Sequence, residues 1–295
     1  MRRFCGRSID IAAFVLGLLP FVRPSDVLAG FYRFGLLGSA TLQDLPADSE
    51  GPRFVFNATS LQTGADARLS RPYIADYKVG IYSTPTTTIA RAVAASSGFP
   101  PFFSPVIVRP RGGAWQEGVE GVVDKGLDTL RRRMILCDGG VYDNLGLQTV
   151  GKYATVLVSD ASAPTDVEPD GGGVLYSLVR GGLRVVFLML GQLQARRKAE
   201  MIADAKERAG EGIKRAYWDI ATKIDGYRVV TPMTHDNELT ASLQNVRTRL
   251  NHFTPREQGQ LINWGYALAD AAMRRWVLSE EPARGEWPVP EWRLD

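Results

Sequence analysis

The sequence predicts an α/β fold: a mostly parallel central sheet covered on both faces, followed by a helical C-terminal portion. Three observations predict it. Arg53 to Thr59, Met134 to Cys137 and Ala154 to Ala161 are short apolar or β-branched runs without strict alternation, as in strands buried on both faces. Helical patterns separate these runs, which is the arrangement of crossover units. From Val174 onward the pattern is helical almost to the end of the chain. A length of 295 residues suits one large α/β domain or two small ones.

The elements follow in order. Arg2, Arg3 and Arg7 precede an apolar run from Ile9 to Val22, and Val27-Leu28-Ala29 resembles a cleavage site, which is the outline of a secretory signal peptide. Asp10 inside the run, Pro20 near its end and Arg23-Pro24-Ser25-Asp26 before the cut argue for a core helix instead. The run is also too short to span a bilayer. Ser25-Asp26 reads as the N-cap of a helix through Tyr32. Leu42 to Pro52 is a loop, Arg53 to Thr59 a strand, and Ser70 to Ser83 one or two short strands. Thr86-Thr87-Thr88 opens an alanine-rich helix, which stops at Ser96-Ser97-Gly98-Phe99-Pro100-Pro101 because consecutive prolines cannot continue the hydrogen-bond ladder. Pro110 to Leu127 is an exposed, glycine-rich excursion.

Beyond the centre of the chain, Leu145 to Tyr153 predicts a short helix and Ala154 to Ala161 a buried strand ending at Asp160. Pro164 to Gly173 is a loop by composition. The helical remainder is broken at Gly210 to Gly212, at a strand-like Tyr227 to Val230, and at Pro232. Arg180 and Arg184, four residues apart, share one face of an apolar helix, which is read as amphipathic, covering the sheet or touching an interface. Thr254-Pro255-Arg256-Glu257 is a capping box with proline at the first helical position. Trp218 and Trp264 are expected as core or interface anchors.

Composition narrows the function. A net charge of +3 with no basic patch interleaved with aromatics excludes a nucleic-acid partner. Cys5 and Cys137 form no disulfide framework and no zinc spacing, and no metal or cofactor is expected. The two histidines, His235 and His252, sit among polar, loop-like residues and read as surface or capping groups rather than members of a triad. A cytoplasmic or peripheral-membrane location is favoured by free cysteines and the weak export signal.

The chain is organised around Met134 to Gly146. A buried strand ends in Asp138, followed by Gly139 and Gly140, which lets the backbone turn and present the carboxylate at the strand end. Asp143 or Asn144 then caps a following helix. A carboxylate at a strand end is a place for a catalytic base, and Asp-Gly is equally a common turn. Asp143 and Asp160 are the next candidate carboxylates.

Four blocks together resemble the patatin-like phospholipase family: Phe54-Val55-Phe56-Asn57-Ala58-Thr59 with Gly64, Ala92 to Phe103, Asp138 to Gly146, and Leu261-Ile262-Asn263-Trp264-Gly265-Tyr266. The resemblance spans about 24–273 and implies one N-terminally incomplete patatin-like domain over 1–295, three-layered α/β/α, with 274–295 a polar tail. It implies a Ser–Asp dyad that hydrolyses lipid acyl esters, with Asp138 as the base in a motif completed by Gly139 and Gly140. Phe99, Phe102 and Phe103 either line an acyl cleft or pack into the core.

The family's G-x-S-x-G nucleophile elbow does not occur in these 295 residues, and the nearest approach is Gly6-Arg7-Ser8-Ile9-Asp10. An elbow needs a strand before its serine, so Ser8 is not read as the nucleophile and none is assigned. Loss of such a serine lowers turnover on the order of a millionfold. The lone chain is therefore expected to be inactive, with the G-x-S-x-G segment either lost from upstream of this sequence or supplied by a complementing second chain, and a lipid or acyl ester as the substrate. The alternative is a non-catalytic lipid- or membrane-associated binding protein.

Overall fold

In the computed structural model, residues 2–17, 19, 21–162, 174–247, 250–280, 282 and 284–295 are described, and they divide into two compact units. The first unit spans 3–146 with 250–252, and the second spans 147–249 with 253–295. The expected loop at Pro164 to Gly173 lies outside the described residues, as do Pro20 and the side chains of Asp10 and Arg180.

The first unit is built on one sheet of six strands: β1 (Val55–Ser60), β2 (Asp66–Ser70), β3 (Tyr73–Asp76), β4 (Gly80–Ser83), β5 (Val106–Val108) and β6 (Met134–Asp138). Their order is β4-β3-β2-β1-β6-β5, every pairing is antiparallel, and the sheet curls into a half-barrel. This corrects the expectation of a mostly parallel, three-layered α/β/α sheet. The reason is connection length. Only Arg71-Pro72 links β2 to β3, and three residues link β3 to β4. A parallel crossover needs a dozen residues or more. Apolar runs without alternation report burial on both faces, and a central antiparallel strand can be buried in the same way.

Helices α1 (Arg2–Cys5), α2 (Asp10–Gly17), α3 (Pro24–Tyr32), α4 (Ile89–Ser97), α5 (Leu127–Arg132) and α6 (Gly140–Asp143) complete this unit. Helix α3 starts two residues earlier than expected, with Pro24 at its first turn and Arg23, not Ser25, at the N-cap. The Thr88 hydroxyl caps α4 by accepting the Arg91 N–H. Helix α4 then lays Ala90, Ala92, Ala94 and Ala95 into the core, where small side chains allow close approach to the sheet. Leu28, Leu42, Leu69, Ile74, Val106 and Leu136 fill the rest.

The second unit holds α7 (Leu147–Val150), β7 (Thr155–Asp160), α8 (Val174–Glu207), β8 (Lys214–Asp219), α9 (Glu238–Leu243) and α10 (Pro255–Trp276). Strands β7 and β8 are parallel, with α8 between them in sequence. Strand β8 falls where the sequence reads as helix, and the strand-like Tyr227 to Val230 is instead the end of a 3₁₀ turn and a loop. Lys214 and Arg215 disguise β8. Arg215 is nonetheless buried, donating to the carbonyls of Gly151, Tyr153 and Ala154 and pairing with Asp204 at 3.2 Å. The later part of α8 meets the strands through Gln194 to Asp160 and Lys198 to Asp219, whereas Val185 to Met189 are exposed. Trp218 and Trp264 both lie in this unit's core, and α10 begins with the expected Thr254–Glu257 capping box.

Leu136 is fully buried where β6 meets α4, so Leu136→Ala should lower unfolding stability by about 2–5 kcal/mol in urea titration.

Candidate active site

Asp138 is the last residue of β6, paired across the ladder with Ala58 of β1. Two elements, β1 and α4, hold its backbone. The Thr59 hydroxyl donates to the Asp138 carbonyl at 2.8 Å. From the other side, the carbonyls of Gly98 and Ser96, at the end of α4, accept the N–H groups of Asp138 (3.1 Å) and Gly139 (3.2 Å). The α4 terminus thereby places two carbonyls that its own ladder leaves over. The proline-rich stop after Ser97 thus has a structural use: it frees these carbonyls to grip the strand end.

The two glycines are needed for space rather than for an unusual turn. Gly139 has a helical φ of −62°, open to any residue. A Cβ there would lie 2.4 Å from the Asn57 carbonyl oxygen, on backbone that cannot move aside. A Cβ on Gly140 would meet the Asn144 amide oxygen at 2.6 Å and the Asp138 Oδ1 at 3.0 Å. The chain therefore passes tightly beneath the carboxylate. The Gly140 N–H donates to Asp138 Oδ1 at 2.7 Å, so Asp138 itself holds the first amide of α6. Asp143 lies inside α6 and is buried, and Asn144 follows at the C-terminal end of that helix, just before α7.

Burial pushes the Asp138 carboxyl above the usual carboxylate range, and the Gly140 N–H opposes the shift. The Cys137 thiol behind it is pushed up to about 11, by burial and then by the Asp138 charge, and stays a packed, neutral group.

Tyr32 and Ser97 join this neighbourhood without any forewarning from sequence. The Ser97 hydroxyl donates to the Val93 carbonyl at 2.8 Å, so its contact with the Tyr32 hydroxyl at 3.1 Å is donated by tyrosine. Burial raises the Tyr32 pKa; the Ser97 bond opposes that rise, and the negative Asp138 adds to it. The phenol therefore stays neutral. The Asn57 and Asn144 amides also converge here, since a Cβ on Gly146 would lie 3.1 Å from Asn57 Nδ2.

The remaining candidates divide. Phe103 packs against the core, Phe99 is half-buried, and Phe102 is exposed, all in the loop that leaves Gly98. Ser8 follows helix α1 rather than a strand, and its hydroxyl accepts the His252 backbone N–H at 3.1 Å. Asp160, in the second unit, accepts from the Tyr217 hydroxyl and the Ser162 N–H, and is thus fully engaged at its strand end. His235 is exposed and bonded to Asp225 at 2.7 Å. Among the described residues no cluster of three His, Cys, Asp or Glu side chains could hold a metal ion.

Residues 20–150 match the patatin-like phospholipase family, Patatin. The match takes in Asn57, the α4 stop and Asp138 to Gly146, and it ends before Leu261 to Tyr266. No curated protein matches the chain.

Raising the folded pKa of Asp138 means the native state binds its proton more tightly than the unfolded chain does. Wild-type stability therefore declines as pH climbs from about 4 through the folded pKa. Asp138→Asn lacks that decline, so its stability relative to wild type should improve between pH 4 and pH 7 in urea titrations. An unchanged difference would show that the carboxylate is not desolvated.

Proposed function

We propose that this chain supplies the aspartate half of a lipid acyl hydrolase site, with Asp138 as general base. The observation that carries the reading is a half-buried carboxylate of raised pKa, on the stretch that matches patatin-like phospholipases. A base is more effective as its pKa approaches the working pH, and desolvation moves Asp138 that way. In the reaction, a serine hydroxyl attacks the ester carbonyl while Asp138 takes its proton, forming a tetrahedral intermediate that becomes the acyl-enzyme as the alcohol leaves. Asp138 then returns the proton to the leaving alcohol, and a water deacylates the serine by the same route. The Gly98 and Ser96 carbonyls keep the carboxylate from rotating with the chain, so its position is set before substrate arrives.

The serine is supplied by a segment outside these 295 residues, since no G-x-S-x-G occurs within them. Among the described residues, Ser8 lacks the strand that an elbow requires, and Ser97 donates to Val93. Exposed Phe102, on the loop leaving Gly98, favours a second reading in which the unit binds lipid without turning it over.

Co-expression of the full chain with a G-x-S-x-G segment and its glycine-rich loop tests the proposal. Hydrolysis of p-nitrophenyl butyrate and labelling by a fluorophosphonate should appear only in the combined preparation. Asp138→Asn should lower turnover by about 10⁴-fold or more while the complex still forms. Activity should fall as pH drops through the raised carboxyl pKa. Lipid binding without turnover in the combined preparation would favour the second reading.

A further inference from the structure

The first 43 residues hold five arginines, no lysine or glutamate, and only two aspartates, Asp10 and Asp26. Asp26 is engaged by Arg91 at 2.6 Å and by Arg23 at 3.7 Å. Among the described residues no ion pair holds Arg7 or Arg33, and both are exposed. This stretch of the first unit therefore carries an excess of positive charge.

The same stretch exposes apolar side chains that a sequence reading expects in a core. Ile9, just before α2, and Ala13 within it are buried, but the helix leaves Ile11, Val15 and Leu16 in solvent. Leu19 and Phe21 follow on the connection to α3, and Phe21 is fully exposed, at 106% of its reference area. Its φ of 70° is a conformation that bulky residues rarely adopt, so the loop holds this ring outward against a backbone preference. After α3 the chain makes a π-helical turn, Arg33–Leu37, which presents Phe34 at 87% exposure with the Arg33 guanidinium 5.6 Å from its ring. Between α2, α3 and this turn runs an open apolar cleft of about 350 Å³, with Phe4, Leu16, Phe31 and Phe34 on its walls and Arg7 the one charged side chain among the described residues lining it.

Exposed apolar side chains beside an open apolar cleft mark an interaction surface. Charge complementarity selects the partner. Exposed aromatics flanked by arginines, with no free acid among the described side chains, fit the boundary between acyl chains and anionic headgroups. No described helix is long and apolar enough to cross a membrane, which agrees with lying on the surface.

We infer that this corner docks the chain onto an anionic bilayer, with Phe21 and Phe34 entering the acyl region and Arg7 and Arg33 meeting lipid phosphates. The cleft then offers an apolar recess to a lipid chain at the point of contact. The residues differ from Asp138 and its neighbours, so docking stands or falls separately from the catalytic reading.

Co-sedimentation of the full chain with phosphatidylcholine vesicles, with and without phosphatidylglycerol, tests it. Wild type should partition strongly only to the anionic vesicles, and Asp138→Asn should do the same. Phe21→Ser and Phe34→Ser should each weaken partitioning about tenfold, with unchanged circular dichroism. Arg7→Gln with Arg33→Gln should erase the preference for anionic lipid. Phe21→Trp should add emission that brominated lipid quenches. Absent binding by wild type, or full binding by the doubly substituted phenylalanine variant, would overturn the inference. So would a dimer in sedimentation velocity that these substitutions dissociate, because a second copy would then cover the patch.

Discussion

The first unit depends on a three-sided grip on the end of β6. β1 lies on one side, bonding through Thr59 and passing its Asn57 carbonyl where a Cβ on Gly139 would sit. The end of α4 lies on the other, offering the Gly98 and Ser96 carbonyls. The chain below turns at once into α6, with the Gly140 amide on the carboxylate. Each contact is an ordinary hydrogen bond of about 1 kcal/mol net. Their joint effect is positional: a carboxylate is kept partly out of water, where its charged form is disfavoured, because the backbone carrying it cannot relax toward solvent. Such a conflict between burial and ionisation is a recurrent sign of a chemical site.

Much of this was legible because the relevant signals are local. The apolar run, the aspartate and the paired glycines all lie within seven residues, Met134 to Gly140, and they identify a strand end with a presented carboxylate. The spatial need for Gly139 is not legible in the same way, because a turn preference is a local property and a close approach by Asn57 is not. Tyr32 could not be found from sequence. It lies 65 residues from Ser97, and only the packing of α3 on α4 brings the two hydroxyls together. The α4 stop announced itself through its prolines, but its carbonyls gain a role only once β6 is alongside.

Sheet direction departs furthest from the pattern of the sequence, and the cause is physical. Burial on both faces removes alternation from parallel and antiparallel strands alike. The discriminating signal lay in the connections, where the Arg71-Pro72 link is too short for any crossover. In the second unit the reverse holds, since β7 and β8 do form a parallel pair. There β8 was hidden by Lys214 and Arg215, the latter buried because backbone carbonyls and Asp204 satisfy its guanidinium. At the N-terminus the helical period of α2 was readable, but whether its apolar side faces a core or solvent is decided by what packs beside it.

The central claim is that the fold holds Asp138 as a desolvated proton acceptor. The most direct measurement is a carbon NMR titration of its carboxyl in the native chain, assigned with Asp138→Asn. The midpoint should lie above the ordinary aspartate value of about 3.9 and return to it when the chain is unfolded in urea. A native midpoint at or below that value would contradict the claim.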